Sequence, residues 1–394
     1  YMEHRIREEY KTDNKRAFAT FYALYLLLAT GMLGVALSTN TFEFFLFYEL
    51  MIVPAWALIT VYGYQNREKI AFTFFMWAEI SALTLLVGIL TAYAKLGNFE
   101  ISQLIQLNGD LWASWVVIFV LLGFLIKIAA FGLHIWLPST YAEAPTPITA
   151  LLSSAMTGLV AYATVRMLIP INVFMSISWV LLLWALVNIL YGGLMALVEN
   201  DFKRLLAYSS ISQMGYLLFG VASYTMLGVS GSMLHYLSHG LGKAILFAAA
   251  GAIIYRTGIR DLRQLGGLAA KMPILAVMSI IGFITLAGVP PTVGFTSKLL
   301  IFTGGFQRGL QSSSEFALAF VAMISTLLTI AYALFAMRRI FYGQLPTQLE
   351  SVTEAPKMMI APLLILSVLS ILLSLSPGIL LDPLTRIVNS LIAG

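Results

Sequence analysis

The sequence predicts an all-α protein: a polytopic membrane helical bundle of about eleven transmembrane helices, with inverted repeats and two broken helices. Three observations carry this expectation. Sixty per cent of the residues are hydrophobic and only 10% are charged, whereas soluble domains carry about 25% charge. Mean hydropathy is +0.89, and apolar runs of the ~20 residues needed to cross a bilayer recur along the chain. Two of these runs are interrupted by glycine and proline, one in each half. Paired interruptions are the sequence mark of transporters whose site lies between broken helices.

In chain order, Tyr1–Arg16 is charged and reads as a loop, so residues 1–18 are expected to be a cytoplasmic loop or a truncated N-terminal segment. Hydropathy places spans near 19–38, 42–62, 70–94 and 113–131, with a short second piece near 135–143. Further spans fall near 147–169, 176–198, 205–223, 228–255, 274–305, 315–337 and 358–377. Gly132 and Pro138 interrupt the first half around 131–138. Gly288-Val289-Pro290-Pro291 and Gly294 interrupt the second around 288–294, in a run too long for one straight span. The halves are therefore 19–169 and 176–340, followed by a C-terminal loop and last helix over 341–394. No residue-level repeat supports the pairing, which rests on pattern alone.

The basic residues orient the bundle. With Tyr1–Arg16 cytoplasmic, the loops at Arg67/Lys69, Lys203/Arg204, Arg256–Lys271 and Arg338–Lys357 are cytoplasmic too. Lys95, Arg166, Arg308 and Arg386 lie at the outer ends, and the positive-inside rule is met. Three lysines remain buried: Lys127, Lys243 and Lys298. The chain has no cysteine, which excludes thiolate metal sites, iron–sulfur clusters and disulfides. It has no phosphate-binding glycine loop in a suitable context, and its short basic loops give nucleic-acid binding no support. No cofactor or metal is expected on this chain.

A lysine within hydrocarbon costs ~2.5–3.5 kcal/mol even on the lenient insertion scale, so intramembrane ionisable residues mark function by default. Lys127 and Lys298 each sit in an interrupted helix, which suggests an ion path. Glu49, several residues inside a span, reads as a proton carrier or as the counter-charge of a lysine. Glu79 is similarly deep, but no partner is evident for it. His235, His239 and Lys243 recur at i, i+4 and i+8, one stripe of a helix. The two histidines lack the glutamate of a zinc-protease H-E-x-x-H, so the stripe makes better sense as a hydrated proton path. His134, Glu143 and Lys203 are secondary candidates, with His134 also suited to capping the broken helix.

The runs KIAAFGLHIWLPSTYAEAPTPITALL, ENDFKRLLAYSSISQMGY, HYLSHGLGKAILF and LAGVPPTVGFTSKLLIF resemble the antiporter-like subunits of respiratory complex I. The same family includes Mrp sodium/proton antiporters and membrane-bound hydrogenases. The resemblance covers nearly the whole chain from about residue 20. It implies a fourteen-helix fold with two inverted five-helix repeats, in which this chain begins just before the fourth helix. By motif, Glu49 matches the glutamate of the fifth helix and Lys127 the lysine of the broken seventh. His235, His239 and Lys243 match the central polar axis, and Lys298 the ionisable residue of the broken twelfth. One departure stands out: members often carry lysine or histidine in the eighth helix, where this chain has Ser153 or Gly158. A link from Lys127 to His239 must then use water, Ser153, Ser154 or Thr157. The absence of a long lateral helix favours the Mrp D-type or hydrogenase-type branch.

The resemblance implies a proton- or sodium-translocating subunit of a redox-driven complex in the cell membrane, with Lys127 loading and Lys298 near the exit. The expected path runs through His239, His235 and Lys243. Implied partners are other antiporter-like and small membrane subunits, the lipid bilayer, and a peripheral arm carrying iron–sulfur or nickel–iron centres. An Mrp-type secondary sodium/proton antiporter is the alternative, and a structural scaffold subunit the alternative of another class.

Overall fold

The computed structural model describes residues 15–393 together with Met2 and Ile6, and it is all-helical, with only two isolated β-bridges among the described residues. Most of the predicted 1–18 loop thus lies outside the described residues. Its end, from Lys15, already belongs to the first helix. The first half comprises α1 (Lys15–Leu37), α2 (Thr41–Tyr62), α3 (Arg67–Leu96), the broken pair α4 (Trp112–Lys127) and α5 (Trp136–Glu143), and α6 (Thr146–Met167). The second half repeats that succession: α7 (Ser178–Val198), α8 (Phe202–Ala222), α9 (Met226–Thr257), the broken pair α10 (Pro273–Ala287) and α11 (Val293–Gly309), and α12 (Ser313–Phe341). Then come α13 (Lys357–Leu375) and α14 (Gly378–Ala393).

Nine helices among the described residues are long and apolar enough to cross a membrane, and α4 and α10, the first limbs of the broken helices, are shorter apolar ones. This matches the predicted crossings. Helix α14 was not expected. Its polar residues Asp382, Thr385, Arg386 and Asn389, with Pro383 inside it, keep its hydropathy low. Its register nevertheless buries Val388 and half-buries Leu384 and Leu391, so it is amphipathic and escapes a rule based on continuous apolar length.

Loop-to-loop hydrogen bonds sort the helix ends onto two faces. On one, Tyr64 N–H donates to Glu143 O (2.8 Å), Phe202 N–H to Arg260 O (3.0 Å) and Gly267 N–H to Tyr342 O (3.2 Å). On the other, Thr41 N–H donates to Phe99 O (2.7 Å), and Asn108 joins the segment after α6 through Pro170 O and Asn172 N–H. The first face carries Arg67, Lys203, Arg204, Arg260, Arg339 and most other topogenic charges, in keeping with the positive-inside expectation. The two bridges make the symmetry concrete. Asn40, the cap of α2, pairs with Glu100 after α3, and Asp201, the cap of α8, pairs with Asp261 after α9. The same closure occurs at the same place in each half, on opposite faces, because five crossings turn the second half over.

Helix α8 is the centre: every residue of its membrane window is buried. It packs against α7 at backbone distance. A Cβ on Gly215 would lie 2.8 Å from both Ala185 O and Ile189 N, so the helices interlock through a small residue, as membrane helices do where backbones approach closely. Gly215→Ala is expected to overpack this seam and cost about 1–3 kcal/mol. The check is a lowered thermal aggregation midpoint of the purified protein.

Candidate functional site

Helix α4 ends at Lys127, earlier than the predicted break, and the irregular segment runs over 128–135. Ala129 (φ +56°) and Gly132 (φ +89°) hold left-handed conformations there. Pro138 is not part of the break: it lies in the first turn of α5, where a missing N–H leaves no helical bond unmade. Lys127 is 1% exposed, and its Nζ has no hydrogen-bond partner among the described residues. It stands 4.6 Å from the centre of the Tyr48 ring, among Phe74, Trp77, Ala78 and Trp136. The Tyr48 and Ser81 hydroxyls share a hydrogen bond (2.7 Å), and Ser81 donates to Gly123 O (2.8 Å), which fastens α2, α3 and α4 around the lysine. Glu49 and Glu79, both half-buried, are the carboxylates whose charges reach Lys127. Neither carboxylate forms an ion pair with Lys127 among the described residues.

The second half holds the rest of the axis. Lys243, His239 and His235 are fully buried along α9. Lys243 Nζ donates to Leu206 O and Ser209 Oγ, each at 2.6 Å. Neither ring nitrogen of His239 has a partner among the described residues. His235 Nδ1 lies 3.1 Å from Ser297 Oγ, one residue from Lys298. Lys298 Nζ sits 4.2 Å from the Tyr216 ring centre, also without a hydrogen bond among the described residues. Its stem crosses the second break, where Gly288 has φ +75° and a Cβ would meet Lys298 Cδ at 2.8 Å. The order along the axis is therefore Lys243, His239, His235, Lys298. The expected route through His239, His235 and then Lys243 is corrected: i, i+4, i+8 spacing puts His235, not Lys243, at the Lys298 end.

A run of hydroxyls reaches Lys243 from the first half. Helix α6 carries one π-helical turn, Leu152–Met156, a distortion that recurs at functional sites. Ser153 in that turn shares a 3.1 Å hydrogen bond with Ser210, and Ser210 donates to Leu206 O, which Lys243 also meets. Tyr141 and Thr157 share a 2.5 Å bond beside it. The serines and threonine named from sequence thus divide: Ser153 and Thr157 are buried in this network, whereas Ser154 is only half-buried and its carbonyl faces Gly240.

The remaining candidates lie off the axis. His134 Nδ1 accepts from Gly132 N–H (3.1 Å) and Nε2 lies 2.9 Å from Tyr191 OH, so it caps the break. Lys203 Nζ donates to Ala144 O (2.5 Å) and lies over the Tyr64 ring. Glu143 approaches Arg260 (3.8 Å), and both line a polar cavity of about 730 Å³ on the basic face, with Ser139, Glu199 and Asp201. Sequence reasoning missed Tyr48, Ser81, Tyr141, Ser209, Ser210 and Tyr216. A signal existed for several of them: AYSSISQMGY is too polar for a span facing lipid, and the structure buries it whole.

Two interrupted helices, each presenting a buried lysine to a polar axis through the bundle, define an ion-translocating membrane protein of the antiporter type. Residues 38–329 match the family described as "NADH:quinone oxidoreductase/Mrp antiporter, TM", and the chain belongs to that family. It is 33% identical to F(420)H(2) dehydrogenase subunit M of Methanosarcina mazei over 95% of this chain and 76% of that one. It is 30% identical to NADH-quinone oxidoreductase subunit M of Rickettsia prowazekii over 89% and 72%, and it spans 60% of a 33%-identical NAD(P)H-quinone oxidoreductase chain 4 from Picosynechococcus. Among solved structures, a chain of the Mrp complex from Dietzia matches with TM-score 0.86 and 27% identity, covering 94% of this chain and 77% of that one. A chain of respiratory complex I from Thermus thermophilus matches with TM-score 0.86 and 29% identity, covering 95% and 80%. The protein is a multi-pass membrane protein.

Proposed function

We propose that this chain moves protons across the cell membrane as one antiporter-like subunit of a redox-driven complex. The observation that carries the reading is the buried axis itself: Lys127, the Ser153–Ser210 hydroxyls, Lys243, His239, His235 and Lys298 in one bundle. Buried polar atoms are nearly always satisfied by protein or water, so the partnerless nitrogens of Lys127, His239, His235 and Lys298 call for water along the same line. A proton then has titratable groups at intervals and water between them. Loading at Lys127 from the basic face, under the charges of Glu49 and Glu79, and passage toward Lys298 follow from this order. The two inverted halves, residues 19–169 and 176–340, would each contribute one broken helix to the path. The dehydrogenase M subunits among the relatives favour a redox drive. The redox centres would then be carried by partner chains of a peripheral arm, with other antiporter-like and small membrane subunits alongside.

The test is purification of the native complex and reconstitution into liposomes carrying an internal pH dye. The expected result is iron–sulfur or nickel–iron subunits in the preparation and acidification driven by electron donor and quinone-type acceptor. A second reading, a subunit of a sodium/proton antiporter driven by a gradient alone, is favoured by the Mrp match. It requires a preparation without redox subunits and pH changes evoked by a sodium gradient.

A further inference from the structure

The first break and the central helix are joined by one side chain that the axis does not include. Asn188, on α7, is fully buried. Its Oδ1 accepts from Phe131 N–H at 2.5 Å, four residues past Lys127, in the irregular segment between α4 and α5. Its Nδ2 donates to Ile211 O at 3.2 Å, on α8. Phe131 N–H can only donate and Ile211 O can only accept, so the two bonds fix the amide's orientation. Ile211 follows Ser209 and Ser210, which meet Lys243 and Ser153. Of the hydrogen bonds that hold Phe131, the one to Asn188 continues directly to the α8 backbone through Ile211 O. The outer side of the break is held separately: Trp184 Nε1 donates to Phe131 O at 3.0 Å, and His134 meets Tyr191. Trp184 bonds the break to α7 alone, whereas Tyr191 also meets the Tyr208 ring of α8 edge-on at 6.4 Å, without a hydrogen bond.

We infer that Asn188 is a positioning residue that couples the Lys127 break to the Lys243 end of the axis. The inference rests on the proton-translocating reading above. When the segment after Lys127 moves as the lysine gains or loses its charge, the Phe131 amide takes Asn188 with it. Through its bond to Ile211 O, Asn188 then shifts the Leu206–Ser210 turn of α8 against Lys243. Asn188 neither binds nor carries the proton. It sets whether the two halves respond to each other.

The experiment uses the whole complex in liposomes and reads protons moved per turnover of the driving reaction. Asn188→Leu, close to isosteric and without either bond, is expected to assemble and to lower that ratio about fivefold or more, the range of ordinary coupling energies. Trp184→Phe removes only the surface latch and is expected to keep the wild-type ratio. A role limited to holding the fold would lower the amount of assembled complex and leave the ratio per assembled complex unchanged. A wild-type ratio in Asn188→Leu, or an equal fall in Trp184→Phe, overturns the proposal. If Asn188→Leu does not assemble, Asn188→Ser takes its place, since its hydroxyl is too short to reach both partners; a wild-type ratio there overturns the proposal equally. Lys127→Ala run in parallel separates the two levels. Pumping that survives Asn188→Leu but not Lys127→Ala removes the coupling role alone, and pumping that survives both removes the translocation reading with it.

Discussion

Lys127→Ala is expected to reduce ion translocation at least about tenfold, about 1.4 kcal/mol in barrier terms, while leaving the complex assembled. The two halves of this expectation rest on different physics. Among the described residues, Lys127 is the buried cation whose charge reaches both Glu49 and Glu79. Alanine therefore removes the group proposed to exchange a proton, and its charge with it. Folding does not need the lysine. Its Nζ makes no hydrogen bond to any described residue, and a lysine in hydrocarbon costs ~2.5–3.5 kcal/mol, so its removal relieves a penalty. Loss of pumping with unchanged or raised thermal stability is the expected pair of results, measured by dye quenching in liposomes and by an aggregation midpoint on the same preparation. Wild-type pumping would sink the assignment of Lys127 as the loading site.

Lys243→Leu carries the second large effect. Lys243 stands where the hydroxyl run from the first half meets the histidines of the second, held by Leu206 O and Ser209 Oγ. Leucine would leave neither anchor orphaned, because Ser209 and Ser210 already donate to Leu206 O at 2.9 and 3.1 Å. The helix keeps its bonds while the path loses its amine. The expectation is a fall in pumping of about tenfold or more, with normal assembly. Because Lys127 stays in place, proton uptake at the first half should persist while release stops. Single-turnover measurements, with a fast uptake phase and no matching release, would show that. A variant that pumps normally would mean that the two halves exchange no proton through Lys243.

The fold was largely legible because the bilayer imposes simple rules on sequence. Length and hydropathy found the crossings, and glycine and proline in mid-run found both breaks to within a few residues. The first break was placed late because Pro138 was read as the interruption. A proline in the first helical turn interrupts nothing, and the chain in fact leaves the helix directly after Lys127. Helix α14 was missed because an amphipathic helix lacks the uniform apolar run that marks a span. The symmetry was legible as a pattern of interruptions but not as residues, since what repeats is the closure of Asn40 on Glu100 and of Asp201 on Asp261, a backbone event with little residue preference.

The ionisable groups declared themselves in the sequence because charge in hydrocarbon is costly enough to be conspicuous: Glu49, Glu79, Lys127, His235, His239, Lys243 and Lys298 stand out against any apolar run. Their periodicity on α9 even gave the stripe. The sequence could not give their order across helices, nor the serine bridge through the π turn of α6. Hydroxyls and amides such as Ser210, Thr157 and Asn188 are common in membrane helices and bond readily to their own backbone. Whether such a residue is a local bond or a link in a path depends on which helix faces it at 3 Å. Composition and periodicity therefore determined that this chain spans a membrane and carries charge inside it. Only the packing of α6, α7, α8 and α9 decided how those charges connect, because hydrogen bonds act over distances that sequence separation does not encode.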